Sequence, residues 1–407
     1  MLLEFWENFR HNLFKPLLLF FYLGFLIPIL KVQFEFPYVI YQGVTMYLLL
    51  AIGWHGGEEL ATIQVGSIGD IAGFIVLGFL LNFAIGLLAY LLLTRMTKMR
   101  RIDRATVAGY YGSDSAGTFA TCVGVLATVG MAFDGFMPVM LAVMEIPGCL
   151  VALYLATRLR EKGMDALGNM PNEPGYKKLA RLGPGAASRP TRGRDLDTEN
   201  GPAIEQQAKL ALELQKHRDI DTDEDDTKTR VGTVKLLREV FLNPGLYLLF
   251  GGIVIGLVSR LQGPKVVHDN DHVFVAAFQG VLCLFLLEMG MTASRRLRDL
   301  KTAGPGFIAF GLLAPNLFAG LGIVVAHAYA HLTHVRFEPG TYILFAVLCG
   351  AASYIAVPAV QRLAIPEASP TLPLAASLGL TFSYNVTIGI PIYIEISRAV
   401  TQWFPFT

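Results

Sequence analysis

VAGYYGSDSAGTFAT, residues 107–121, interrupts a stretch that otherwise reads as helix embedded in hydrocarbon. It gathers Gly112, Ser113, Asp114, Ser115, Gly117 and Thr118 into one short run. A charged carboxylate at the centre of a bilayer costs about 2.5–3.5 kcal/mol on insertion scales. Clustered glycines and short polar residues also invite the backbone to leave the helix. Non-helical backbone survives at that depth only where protein or water satisfies its polar groups. The run therefore predicts an interrupted helix whose break has a polar purpose.

The rest of the chain sets that break in a membrane. Of 407 residues, 53% are hydrophobic and 16% charged, and mean hydropathy is +0.50. Soluble domains carry about 25% charged residues. The formal net charge of +1 has no basic stripe behind it, so nucleic acid is not an expected partner. A span needs about 20 mostly apolar residues. Ten stretches qualify, near 13–31, 37–53, 68–94, 103–130, 135–158, 236–258, 272–292, 302–330, 339–361 and 372–402. The fourth and ninth hold polar breaks, and the tenth is long enough to tilt or to bend near Pro391. The first apolar run has no small-residue cleavage pattern after it, so it reads as a retained span. Cys122, Cys149, Cys283 and Cys349 all lie in apolar runs without metal spacing and read as small core hydrophobes.

Residues 159–235 are different material. They carry most of the acids and bases, in NEPGYKK, GPGAASRPTRGRD and DTDEDDTK. Such composition cannot bury a core, so much of this insert is expected to be disordered. One piece, 203–219, has helix formers and an apolar stripe and reads as a surface helix. The acidic run Asp219–Asp226 lacks the glycine and spacing of a calcium loop. Basic residues in short loops orient the spans. Arg95, Lys98, Arg100, Arg101 and Arg104 follow the third span, Arg295, Arg296, Arg298 and Lys301 the seventh, and Arg158, Arg160 and Lys162 open the insert. All fall on one side when both termini are outside, which makes the insert cytoplasmic in a cell inner membrane. The expected domains are 1–158 and 236–407, one five-span unit each, with the insert between them.

The halves resemble each other. AIGWHGGEEL (51–60) and LEMGMTASRRLRDL (287–300) each end an apolar run with glycine and charge. YYGSDSAGTFAT breaks the fourth span and CGAASYIAVPAV (349–360) the ninth, while MEIPGCLVALYL and TIGIPIYIEI place Ile-Pro in the fifth and tenth. Self-similarity at this scale marks an internal repeat. Five spans per half is an odd number, so the second half is inserted upside down. The expected fold is all-α and polytopic: ten transmembrane helices as a 5+5 inverted repeat with breaks in spans 4 and 9. That is the plan of secondary transporters, whose sites lie between broken helices at the midplane.

A half-helix N-terminus offers free N–H groups and partial positive charge, which suit an anion. Hydroxyl oxygens can ligate sodium, and a carboxylate favours a cation. Gly112, Ser113, Asp114, Ser115 and Thr118, with Ser353, Tyr354 and Asn385, are the candidate substrate and ion residues, and Asp114 is the candidate sodium ligand. Bland alternatives stand beside each. Asp114 could be a helix N-cap, Ser115 and Thr118 could bond back to their own helix, and Asn385 could serve interhelical packing. Glu145 and Glu288 could relay protons or pair with bases. HGGEE, with His55, Glu58 and Glu59, suggests a metal motif, but Gly56 and Gly57 weaken the helix that would present it.

These motifs, taken in order, resemble the sodium-dependent bicarbonate transporter family known from cyanobacteria. YGSDSAGT is similar to its Gly-x-x-Ser-x-x-Thr break at Gly112, Ser115 and Thr118. LEMGMTASRRLRDL resembles its Met-Gly-Met signature, VPAVQRLAIP (357–366) its second-repeat segment, and SLGLTFSYNVTIGIPIYI (377–394) its last span. The resemblance covers all ten spans. It implies a core domain of spans 3–5 and 8–10 against a gate of spans 1, 2, 6 and 7. It also implies elevator-like movement, trimeric assembly, bicarbonate entering with sodium, and a PII-like signalling protein at the cytoplasmic side. Where that family has Ser-Ser-Asp-Ile-Ser-Gly-Pro, this chain has Ala352 to Pro358 with Tyr354 in place of the carboxylate, and Asp114 stands where those members are apolar. No organic cofactor and no enzymatic activity are expected. A proton-coupled anion permease and a membrane sensor acting through its insert are the alternatives.

Overall fold

The computed structural model describes residues 14–63, 66, 68–177, 244–297, 299–300, 304–354, 357–358, 361 and 364–404. The expected surface helix at 203–219 and the acidic run lie outside them. Among the described residues the regular elements are all helical. The first half holds α1 (Pro16–Ile29), α2 (Tyr38–Leu60), α3 (Ile68–Met96), α4 (Arg101–Tyr111), α5 (Ala116–Val129), α6 (Met137–Met144) and α7 (Ile146–Glu161). The second holds α8 (Pro244–Gln262), α9 (Pro264–Asp271), α10 (Phe278–Leu297), α11 (Pro305–Thr333), α12 (Pro339–Gly350), α13 (Thr371–Leu374) and α14 (Ile390–Trp403). Among the described residues five stretches are long and apolar enough to cross a bilayer: Ile68–Met96, Met137–Glu161, Pro244–Gln262, Pro264–Leu297 and Pro305–Thr333. α1 and α12 are apolar but shorter.

Prolines and glycines decide where the helices yield. Pro147 lies just after the junction of α6 and α7 at Glu145. The bend expected near Pro391 comes as a π-helical stretch, Asn385–Gly389, immediately before α14. Proline has no N–H and its ring crowds the carbonyl four residues back, so the preceding turn widens.

Two helix pairs join the halves through glycine. In α2 and α8, Gly53 and Gly57 face the Leu249 and Ile253 backbone, while Gly252 and Gly256 face that of Leu50 and Trp54. Each helix thus presents a Gly-x-x-x-Gly face, the arrangement that brings membrane helices into backbone contact. In α1 and α10, Gly24 meets the Leu287 carbonyl and Gly290 the backbone of Phe21 and Phe25. α9 packs on α8, and the other helices form a second packed group. α4 packs on α7 and α3, and α11 packs on α3, α12 and α14. Phe74 of α3 joins the halves there, with ring centroids 4.6 Å from Phe345 and 4.7 Å from Phe337. α4 from Ala105 to Tyr111 and α12 from Gly340 to Gly350 are buried on every side, as expected of helices enclosed by others.

The folded chain continues past the boundary expected at residue 158. α7 runs to Glu161, and residues 162–177 then fold back on the same helices. Asp165 accepts hydrogen bonds from the N–H groups of Leu167, Asn169 and Lys177. Glu173 accepts from the N–H of Arg101 at 2.8 Å. Met170 is buried in a cluster with Ile102, Ala105, Ile365 and Ala368. One apolar anchor and two acids that bond backbone are enough to order a segment whose average composition reads as disordered.

Candidate functional site

The four residues Gly112 to Ser115 separate α4 from α5, and α12 stops at Gly350 before the extended stretch from Ala351. These two interruptions meet. The Ser353 N–H donates to the Tyr110 carbonyl at 2.8 Å. Small residues make room for the first of them: Gly112 lies against Gly86 and Gly148, and the Cα of Gly148 would be 3.3 Å from a Cβ at Gly112.

Ser115 is the N-cap of α5. Its Oγ accepts from the Thr118 N–H at 3.3 Å and from the Thr118 hydroxyl at 2.9 Å. The hydroxyl proton of Ser115 is then left over for an acceptor at the break. The N–H groups of Ala116 and Gly117 have no intrahelical acceptor. The cap belongs to Ser115 and not to Asp114. The Asp114 side chain is 0% exposed, and among the described residues neither carboxylate oxygen has a hydrogen-bond partner. Its nearest charged company is the buried Glu145, close enough to interact electrostatically. Ser113 donates to the Glu145 carbonyl at 2.7 Å. Asn82 of α3 donates to the Met144 carbonyl at 3.1 Å, and among the described residues its own Oδ1 has no partner. Two carboxyls, an amide oxygen and several hydroxyls thus surround the first break, an oxygen-rich set of the kind a hard cation takes.

At the second break the Ser353 Oγ accepts from the Val357 N–H at 3.5 Å. Tyr354 is 8% exposed and, among the described residues, its hydroxyl has no partner. Asn385 donates to the Gly350 carbonyl at 2.9 Å and accepts from the Tyr393 hydroxyl at 2.7 Å. It satisfies the end of α12 and so holds the break from behind. Glu145, Asn82 and Gly117 complete the site and had not been singled out for it in the sequence. The repeated Ile-Pro at 146–147 was the available signal for Glu145.

Two further acids clamp the interrupted helices to opposite loops. Asp134, between α5 and α6, accepts from the Glu338 N–H at 3.0 Å and the Thr341 hydroxyl at 2.6 Å, at the start of α12. Burial pushes its carboxyl up, and those two bonds oppose the shift. Asp103, in the first turn of α4, accepts from the Ser369 N–H at 2.7 Å, beyond the second break, and is held by Arg100.

The HGGEE segment lies elsewhere. His55 Nε2 is 3.3 Å from Glu59. His55, Glu58, Asp134, Arg260 and Arg336 line an open cleft of ≈ 660 Å³ between the end of α2 and the loops before α6 and α12. Among the described residues no group of three or more His, Cys, Asp or Glu is placed to hold a metal.

With this geometry in place, the family comparison is decisive. A family model described as the Na+-dependent bicarbonate transporter superfamily matches residues 16–398. The chain belongs to that superfamily. The match runs through both breaks, both glycine-lined helix pairs and the folded start of the insert. No curated protein matches the chain. Superfamily membership and the long apolar helices make this a multi-pass membrane protein of the transporter class, and not an enzyme.

Proposed function

We propose that the chain is an elevator-type secondary transporter that carries bicarbonate inward with sodium. The observation that carries this is the Ser353 N–H to Tyr110 carbonyl bond at 2.8 Å, because it puts the two breaks side by side. Ten spans form a 5+5 inverted repeat, 1–158 and 236–407, with the insert cytoplasmic and both termini outside. The mirrored clamps support that symmetry: each ties the start of one interrupted helix to the loop beyond the other break. α1, α2, α8 and α10 form the gate, whose backbone-to-backbone glycine contacts suit a rigid frame. α9 stays with α8 and α10, and the other helices form the moving core. The anion rests at the N-terminus of α5, where the Ala116 and Gly117 N–H groups and the hydroxyls of Ser115 and Ser353 can donate to it. Sodium sits between the anion and Asp114, with the oxygens of Ser113 and Thr118 near. Each ion thereby lowers the energy of the other. By the family resemblance, the assembly is a homotrimer and the insert receives a PII-like protein.

The test is uptake of radiolabelled bicarbonate into proteoliposomes with and without an inward sodium gradient. Uptake should require the gradient and be lost in Asp114→Asn. Equal uptake in both conditions, with Asp114→Asn silent, overturns the sodium coupling. A second reading, proton coupling, is favoured by one observation: Glu145 lies beside Asp114 with no base between them. An imposed proton gradient in the same assay separates the two.

A further inference from the structure

Tyr354 stands where an anion at the N-terminus of α5 would be read. Gly117 is the second residue of that 14-residue helix. A Cβ there would collide with the Tyr354 hydroxyl and would lie 2.7 Å from the Phe285 ring. The tyrosine hydroxyl lies beside the Gly117 N–H and the Ser115 side chain, yet short of hydrogen-bond geometry. Among the described residues it is therefore a buried donor without an acceptor, beside a helix end that presents further donors. A buried hydroxyl in that condition is destabilising by itself, and an oxyanion at the same spot would satisfy it. The ring is fixed by its neighbours. Phe382 meets it edge-on at 5.7 Å, and Phe285 stacks on Tyr41 at 6.3 Å. Tyr41 and Phe285 belong to α2 and α10, so the tyrosine lies between the break and the other helix group.

We infer that Tyr354 determines anion specificity: its hydroxyl, lying over Gly117 beside the Phe285 ring, donates to the bound oxyanion, and the side chain limits the site to an anion the size of bicarbonate. This rests on the transporter reading above. Gly117 is required because any side chain there would displace the Tyr354 hydroxyl, and the Phe285 ring closes the remaining side. A monocarboxylate with a longer tail, such as butyrate, would have to occupy the volume of the ring.

The experiment is bicarbonate uptake into proteoliposomes by wild type, Tyr354→Phe and Tyr354→Ala, with acetate and butyrate as competitors. Tyr354→Phe keeps the shape and removes one hydrogen bond to a charged group. Its half-saturation constant should rise about tenfold or more, with maximal rate kept. Tyr354→Ala should become sensitive to butyrate while wild type stays insensitive. Size-exclusion profiles of both variants verify that they are folded, and Tyr354→Phe carries the test alone should the alanine variant aggregate. An unchanged half-saturation constant in Tyr354→Phe overturns the donor role. Continued exclusion of butyrate by folded Tyr354→Ala overturns the size limit. Failure of wild type to take up bicarbonate under any gradient is a different result: it removes the transporter reading, and this inference falls with it.

Discussion

Replacing Asp114 by asparagine removes one charge and almost no volume from a fully enclosed position. Among the described residues the carboxylate has no hydrogen-bond donor on either oxygen, and its charged neighbour, Glu145, has the same sign. A buried charge left without a partner is destabilising by about 3–5 kcal/mol. The wild-type protein should therefore be least stable when no cation is supplied. Added sodium restores the balance by mass action, by about 2.7 kcal/mol at one hundred times its dissociation constant. Asp114→Asn should begin more stable in sodium-free buffer and gain little from sodium. Thermal unfolding of the purified protein in detergent measures both. Sodium chloride is exchanged for N-methylglucamine chloride at constant ionic strength, so that general screening cancels. A variant whose midpoint rises with sodium as much as wild type does would show that the cation is held elsewhere. The proposed coupling at this carboxylate would then be wrong.

Three other perturbations follow from contacts already described. Gly252→Val forces side-chain atoms into the Leu50 carbonyl and the Gly53 Cα and should destabilise the protein by about 1–3 kcal/mol, read as a lower melting temperature. Ser115→Ala removes the α5 cap and leaves the Thr118 N–H unsatisfied. It should cost about 1 kcal/mol of stability and weaken bicarbonate uptake as well, whereas a purely structural cap would change only the melting temperature. Asp134 has a carboxyl pushed up by burial, so its folded form holds its proton more tightly than the unfolded chain does. Its contribution to stability is present below the unfolded value and lost as pH rises through the folded one. Melting temperature should therefore fall across the acidic range as pH increases, and that component of the fall should vanish in Asp134→Asn.

Local chemistry was readable in the sequence, and pairing was not. Gly112, Ser113 and Asp114 announced a break because glycine and short polar residues are wrong for a helix in lipid, and α4 ends at Tyr111 while α5 begins at Ala116. The repeated Ile-Pro at 146–147 and 390–391 likewise marked places where α7 and α14 begin after a disturbance. The division of labour at the break depended on backbone geometry: Ser115 has the extended conformation of an N-cap (φ −142, ψ 111), which left Asp114 without that task. Asn385 was visible as a polar residue in an apolar span, but only the fold shows that it bonds the Gly350 carbonyl. The facing Gly-x-x-x-Gly pairs at 53/57 and 252/256 were legible and had been passed over for the more conspicuous HGGEE. The start of the insert misled because composition averages over its length, and a single buried Met170 with two acids that bond backbone outweighs the average locally.

That folded start of the insert has a mechanical meaning. The segment 162–177 is stitched to Arg101, Ile102 and Ala105, the opening turns of the helix that ends at the first break. If α4 belongs to a travelling carriage, then that segment fastens the insert to the carriage and not to the rails. A soluble protein that gripped the insert would brake the load itself and need never touch the bilayer.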